Sequence, residues 1–158
     1  MSPTRDDLRR SQARAVSRLG GAYMLRAFMA TAAAVDHDYL AAVVYSAIVQ
    51  TNIAQLNDDP ELSARYASLD AIVPDELRRP ISVHALAASL HIPYETTRRC
   101  VSRLIEKGMV RRTTRSGIIA TAEAIADPAN VRAVEQNYTD VMRLIAQLRR
   151  HGITLDGV

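Results

Sequence analysis

Between Ser82 and Gly108 the chain runs through capping residues, apolar spacings and breaks in an order that is fairly specific to one arrangement. Ser82 carries the short hydroxyl that caps a helix N-terminus, and Leu86, Ala87 and Leu90 follow within a helix of about eight residues. His91-Ile92-Pro93 breaks that helix. Tyr94 to Lys107 forms a second helix, closed by Gly108, because glycine takes up the left-handed backbone of a helix end without a Cβ penalty. Two short helices joined by a tight turn make a helix-turn-helix. Met109 to Thr113 and Ile118 to Thr121 are β-prone runs around Thr114-Arg115-Ser116-Gly117, which predicts a hairpin immediately afterwards.

A wheel of about 100° per residue separates the two faces of the second helix. Thr97, Cys100, Val101, Leu104 and Ile105 gather on one side, while Glu95, Arg99, Ser102 and Arg103 lie opposite, with Arg98 flanking. The apolar side anchors the helix and leaves the other free for a groove. An α-helix fits the major groove of B-DNA, where arginine donates two hydrogen bonds to guanine and serine bonds a base or a phosphate. Arg99 is the expected base reader. Tyr94, Thr96, Arg98 and Arg103 are better placed for phosphates, which fix register without reading sequence. Glu95 precedes Arg98 by three residues and Arg99 by four; it can hold either guanidinium or accept from cytosine N4.

Charge points the same way. From Arg78 to Arg115 there are nine basic residues (Arg78, Arg79, Arg98, Arg99, Arg103, Lys107, Arg111, Arg112, Arg115) and two acids (Glu95, Glu106), a local +7 in a chain whose net charge is +3. A polyanion is expected to meet this segment and no other.

The rest of the chain reads as helix. Aliphatic residues dominate a 48% hydrophobic content with only 4% aromatic, which suits helix-on-helix packing. Residues 5–19 form a weak helix up to Gly20-Gly21; 22–34 is Ala-rich and apolar nearly all round; Asp36 is expected to cap a helix over 37–56. Asp59 as N-cap with Pro60 at the first helical position starts a short helix ending near Asp70, and Ile81 to Val83 are placed for a short strand. Asp127-Pro128 begins a last helix running to His151. Its positions Val131, Val134, Tyr138, Val141, Ile145 and Leu148 step by 3, 4, 3, 4 and 3, a heptad seam that requires a partner helix. The segments are therefore a weak N-terminal helix over 1–21, a helical core and dimerisation region over 22–79, a DNA-binding module over 80–126 and a dimerisation helix over 127–158.

With Leu86-Ala87, Leu90, Ile92, Thr96-Thr97, Arg99, Val101, Leu104 and Glu106-Lys107-Gly108-Met109-Val110 followed by an Arg-rich hairpin ending in Ser116-Gly117, residues 80–121 resemble bacterial winged helix-turn-helix transcription regulators of the MarR-like kind. The resemblance implies a homodimer on double-stranded DNA, with the second helix in the major groove and the hairpin wing on the backbone or minor groove. It makes Arg115 the wing-tip arginine and has Arg111 and Arg112 line the wing. His91 departs from the pattern, which has glycine in a left-handed turn there; histidine tolerates that conformation at a small cost. The fold class expected is mainly α: a winged helix-turn-helix with a small hairpin, flanked by N-terminal helices and a long C-terminal helix.

Other functions find less support. The chain has no Gly-rich phosphate loop, no G-x-S-x-G elbow and no H-E-x-x-H, so no enzyme is expected. His37, His84, His91 and His151 lack ligand spacing, and Asp36-His37-Asp38 reads as helix capping, so no metal or cofactor is expected. Cys100, on the apolar face, reads as a small core residue rather than a redox sensor. Without a second cysteine, a leader or an uninterrupted apolar run of about 18–20 residues, the chain reads as cytoplasmic and without a membrane span. Two alternatives stay open: a winged helix that docks a protein instead of DNA, and a small-molecule effector site near Tyr45, Gln50, Thr51 and Asn52.

Overall fold

The computed structural model describes residues 5–114 and 116–153, so Arg115 lies outside the described residues. The fold is mainly helical with one two-stranded antiparallel sheet. In chain order it comprises α1 (Arg5–Ala33), α2 (Tyr39–Ile53), α3 (Pro60–Arg65), α4 (Val83–Leu90), α5 (Tyr94–Glu106), β1 (Val110–Arg112), β2 (Ile118–Ala120), α6 (Ala122–Ala126) and α7 (Pro128–Arg150). The chain divides into two compact units, residues 31–132 and residues up to 30 with those from 133 on. Within residues 31–132, α2 packs directly on α4, α5 and β2.

Local signals set most helix ends. The Ser82 hydroxyl accepts from Ala85 N (3.1 Å), and α4 ends at His91 with φ 53° and ψ 36°, the left-handed conformation expected of it. Asp59 accepts from the N–H groups of Glu61 and Leu62, both at 3.0 Å, with Pro60 at the first turn, although α3 stops at Arg65 and not near Asp70. Gly108 at φ 72° follows α5. Asp127 accepts from Ala129 N (2.8 Å) at the start of α7. Thr121 caps α6, a one-turn helix absent from the sequence reading.

Two N-terminal expectations are corrected. Gly20-Gly21 does not interrupt α1, which runs through both; interior glycine costs a helix only about 1 kcal/mol relative to alanine, too little to break a long one. Asp36 is not the cap of α2. Asp36 (φ 56°) and His37 (φ 59°) are both left-handed, and Asp38 caps instead, accepting from Ala41 N at 3.0 Å.

In the 31–132 unit, Val35, Val44, Ile48, Leu86, Val101, Leu104, Val110, Ile118 and Ile119 are the fully buried larger aliphatic side chains. β1 and β2 pair with Val110 opposite Ala120, Arg111 opposite Ile119 and Arg112 opposite Ile118. Ile81 adds a single antiparallel bridge to Ile118, a reduced form of the expected strand. Tyr39–Asn57 is, among the described residues, long and apolar enough by composition to cross a membrane; here it is the inner helix. Its Asn52 is buried and wholly engaged: Nδ2 donates to Arg79 O (2.8 Å) and Ile118 O (3.3 Å), and Oδ1 accepts from Ala120 N (2.9 Å). The amide ties helix, connector and sheet together, as buried polar groups must be satisfied.

In the other unit α1 meets α7 through polar groups. Tyr23 OH donates to Asn137 Oδ1 (2.8 Å), and Asp140, with no accessible surface, accepts from Arg26 Nε (2.9 Å), Gln136 Nε2 (3.0 Å) and Arg143 (3.1 Å). Asp140 lies about 160° round the helix from Tyr138. Asn137, the other contact with α1, lies only about 40° round the helix from Val141 of the heptad seam.

Candidate nucleic-acid interface

The sequence of α5 puts its apolar residues three and four apart, and the fold seals that side. Thr97, Cys100, Val101 and Leu104 are buried, and the Thr97 hydroxyl donates to Pro93 O (3.2 Å). Burial pushes the Cys100 thiol pKa up, outweighing the nearby Arg103 charge. The thiol is a core group.

The opposite side is open. Tyr94, Glu95, Thr96, Arg98, Arg99 and Arg103 are exposed and Ser102 is half-buried, as the wheel separated them. Tyr94 is 48% exposed, and its ring lies 6.3 Å from that of His84, linking the start of α5 to α4. Thr96, Arg98, Arg99, Ser102, Arg103 and Glu106 line an open groove of about 520 Å³, with Leu40 of α2 on its flank. Arg111 and Arg112 of β1 are exposed.

The cations of this surface are not equivalent. Glu95 pairs with Arg98 (3.0 Å) and not with Arg99, which resolves the two local options. Asp38 pairs with Arg103 (3.1 Å), Asp36 with Lys107 (2.8 Å) and Asp75 with Arg111. The Lys107 hydrogen bond and charge hold the Asp36 carboxyl below its usual range. Among the described residues, Arg99 and Arg112 make no ion pair. Arg115, the expected wing tip, falls outside the described residues.

Two features of the sequence reading change here. Arg78 is no surface cation: it is 4% exposed, donates to Val73 O (2.9 Å) and Ala120 O, and pairs with Asp75 (3.2 Å). The local count of +7 also missed Asp36, Asp38 and Asp75, which lie outside that window or were read as caps and surface charges. No pattern in one segment finds them, since each meets its cation only through the fold.

The residues read as a possible effector site sit in different surroundings. Gln50 is exposed, Thr51 Oγ1 donates to Ala47 O (2.8 Å), Asn52 is consumed by backbone groups, and Asn130 donates to the Tyr45 hydroxyl (3.4 Å). Burial raises the Tyr45 pKa to about 12, so it stays a neutral phenol. Among the described residues no group of histidine, cysteine and carboxylates could hold a metal ion. Of the seam residues, Val134 and Tyr138 remain 54% and 67% exposed, while Val131, Val141, Ile145 and Leu148 are half-buried. Comparison with protein-family models, curated proteins and solved structures gives no match.

Proposed function

We propose that this chain is a winged helix-turn-helix transcription regulator that binds double-stranded DNA as a homodimer, with α5 in the major groove and the β1–β2 hairpin on the backbone or minor groove. One observation carries the reading: α5 has one face sealed in the core and the other exposed, polar and cationic, with Arg99 unpaired at its middle. The single Ile81 bridge beside the hairpin and the left-handed His91 between α4 and α5 suit the same architecture. Arg99 reads bases; Tyr94, Thr96, Arg98, Ser102, Arg103, Arg111, Arg112 and Arg115 contact phosphates or bases around it. Under this reading the protein is a cytoplasmic, non-enzymatic regulator.

The dimer follows from the seam. Val134, Tyr138 and Met142 on α7, with Met24, Leu25 and Met29 on α1, are large apolar side chains left exposed in one chain. A second copy covers them, and a two-fold axis spaces two α5 helices for half-sites about one helical turn apart.

The test is fluorescence anisotropy of the full chain with random genomic duplexes across a salt series, with Arg98 and Arg99 both changed to alanine as control. Submicromolar binding that weakens steeply with salt and is lost in the control is expected. Absence of binding at low salt overturns the reading.

A second reading has its own observation. Four of the six described cations on α5, the residue after it and β1 already have carboxylate partners, which suits a winged helix that docks a protein. That reading predicts little salt-dependent affinity for duplex DNA.

A further inference from the structure

The segment joining α1 to α2 is short, and it ends in two acids flanking a histidine. Asp36 and His37 are both held at positive φ, a conformation unfavourable for residues with a Cβ. The consequence is a placement: Asp36 Oδ2 lies 2.8 Å from Lys107 Nζ, and Asp38 Oδ2 lies 3.1 Å from an Arg103 nitrogen. Arg103 lies in the last turn of α5 and Lys107 directly follows it, and both acids lie more than sixty positions earlier in the chain.

These pairs are too exposed to matter much for stability. The side chains of Lys107 and Asp36 are 44% and 84% accessible, and those of Arg103 and Asp38 are 54% and 30%. Ion pairs in such surroundings contribute little, because water and salt screen them. Asp38 does not need the arginine for its capping role, which uses its other carboxylate oxygen. What the pairs change is the state of the two cations before any ligand arrives.

We infer that Asp36 and Asp38 are specificity-determining residues of the DNA surface: they act as built-in counter-ions that keep Lys107 and Arg103 from binding phosphate indiscriminately. This inference rests on the DNA-binding reading above. A free cation that meets a phosphate releases a condensed counter-ion, which is the main source of sequence-independent affinity. A cation already neutralised by a tethered carboxylate must first break its own pair, so it adds little to non-specific binding. It becomes available when a well-matched site seats α5 closely enough for the phosphate to displace the carboxylate. Arg99, which has no such partner, remains free to search base edges.

The substitutions that test this are isosteric. Asp38→Asn keeps a side-chain oxygen for the cap, and Asp36→Asn suits the left-handed backbone, which asparagine tolerates well. Anisotropy with a mixed-sequence duplex across a salt series is measured for the full chain, for Asp36→Asn alone and for the double variant. Each freed cation should steepen the slope of log affinity against log salt by about 0.9, so the double variant should be steeper by about 1.8. The single variant, at an exposed site, serves as the control for folding and should show half the change.

Wild-type binding with an unchanged slope in both variants overturns the inference and leaves the DNA-binding reading standing. Failure of all three proteins to bind overturns both. Binding by the variants where the wild type shows none even at low salt overturns the DNA-binding reading of the native chain and the inference with it.

Discussion

Asn52 and Ala120 lie 68 positions apart in the chain and are joined by a 2.9 Å hydrogen bond from the Ala120 N–H to Asn52 Oδ1. The same amide donates to Arg79 O and Ile118 O, so one buried side chain holds the sheet against the inner helix. Asn52→Ala removes this partner from the Arg79 carbonyl and the Ala120 N–H, while Ile118 O keeps its hydrogen bond from Ile81 N. We expect a loss of on the order of 3 kcal/mol in urea unfolding, larger than any surface substitution produces. A loss within 0.5 kcal/mol, roughly the surface range, contradicts this role.

Arg99 and Arg112 should separate base reading from phosphate contact. Under the proposed function, Arg99→Ala costs about 1–3 kcal/mol on a selected operator and relaxes base preference. Arg112→Ala should weaken all duplexes alike and lower the salt slope by about 1. Competition binding with operator variants checks both, and equal loss of discrimination contradicts the assignment.

Cys100 should be unreactive in the native protein. Its sulfur is buried, and burial raises its pKa, so little thiolate forms and none is accessible. A disulfide-exchange dye at pH 8 should label it only after denaturant is added. Rapid native labelling would place the thiol at the surface and revive a redox role.

His91 should tolerate glycine with a gain. Its φ of 53° suits glycine, and its side chain is exposed. We expect His91→Gly to stabilise the protein by about 0.5–1 kcal/mol, the relief of left-handed strain less the added freedom of the unfolded chain. A lower thermal midpoint would mean that the imidazole has a contact of its own.

Asp140 should contribute to acid sensitivity. Its hydrogen bond from Gln136 first, then those from Arg26 and Arg143, hold its carboxyl below the usual value of 3.8. A pKa depressed by folding adds stability that is fully present above the unfolded value near 3.9, and is lost as pH falls through the folded one. Urea midpoints from neutral pH down to the acid range should fall less steeply for Asp140→Asn than for the wild type. Parallel curves would remove Asp140 from the account.

The helices α4, α5 and α7 and the hairpin are legible in the sequence because their causes are local, whereas the left-handed turn at His91 is implied only by the resemblance. Caps such as Ser82 and Asp59 act within three residues, and apolar spacing of three and four decides which side of α5 is buried. Those forces depend only on near neighbours in the chain.

The sequence by itself thus determined where most of these helices begin and end and which face of α5 is polar. Only the tertiary structure decided which polar groups on that face are free. Lys107 meets Asp36 across 71 positions and Arg111 meets Asp75 across 36, while Arg78, counted with the surface cations, is buried. It also decided that Asn52 ties helix, connector and sheet together. The reason is one of range: periodicity and capping are set along the chain, whereas charge pairing and burial depend on distances that exist only once remote segments have packed together.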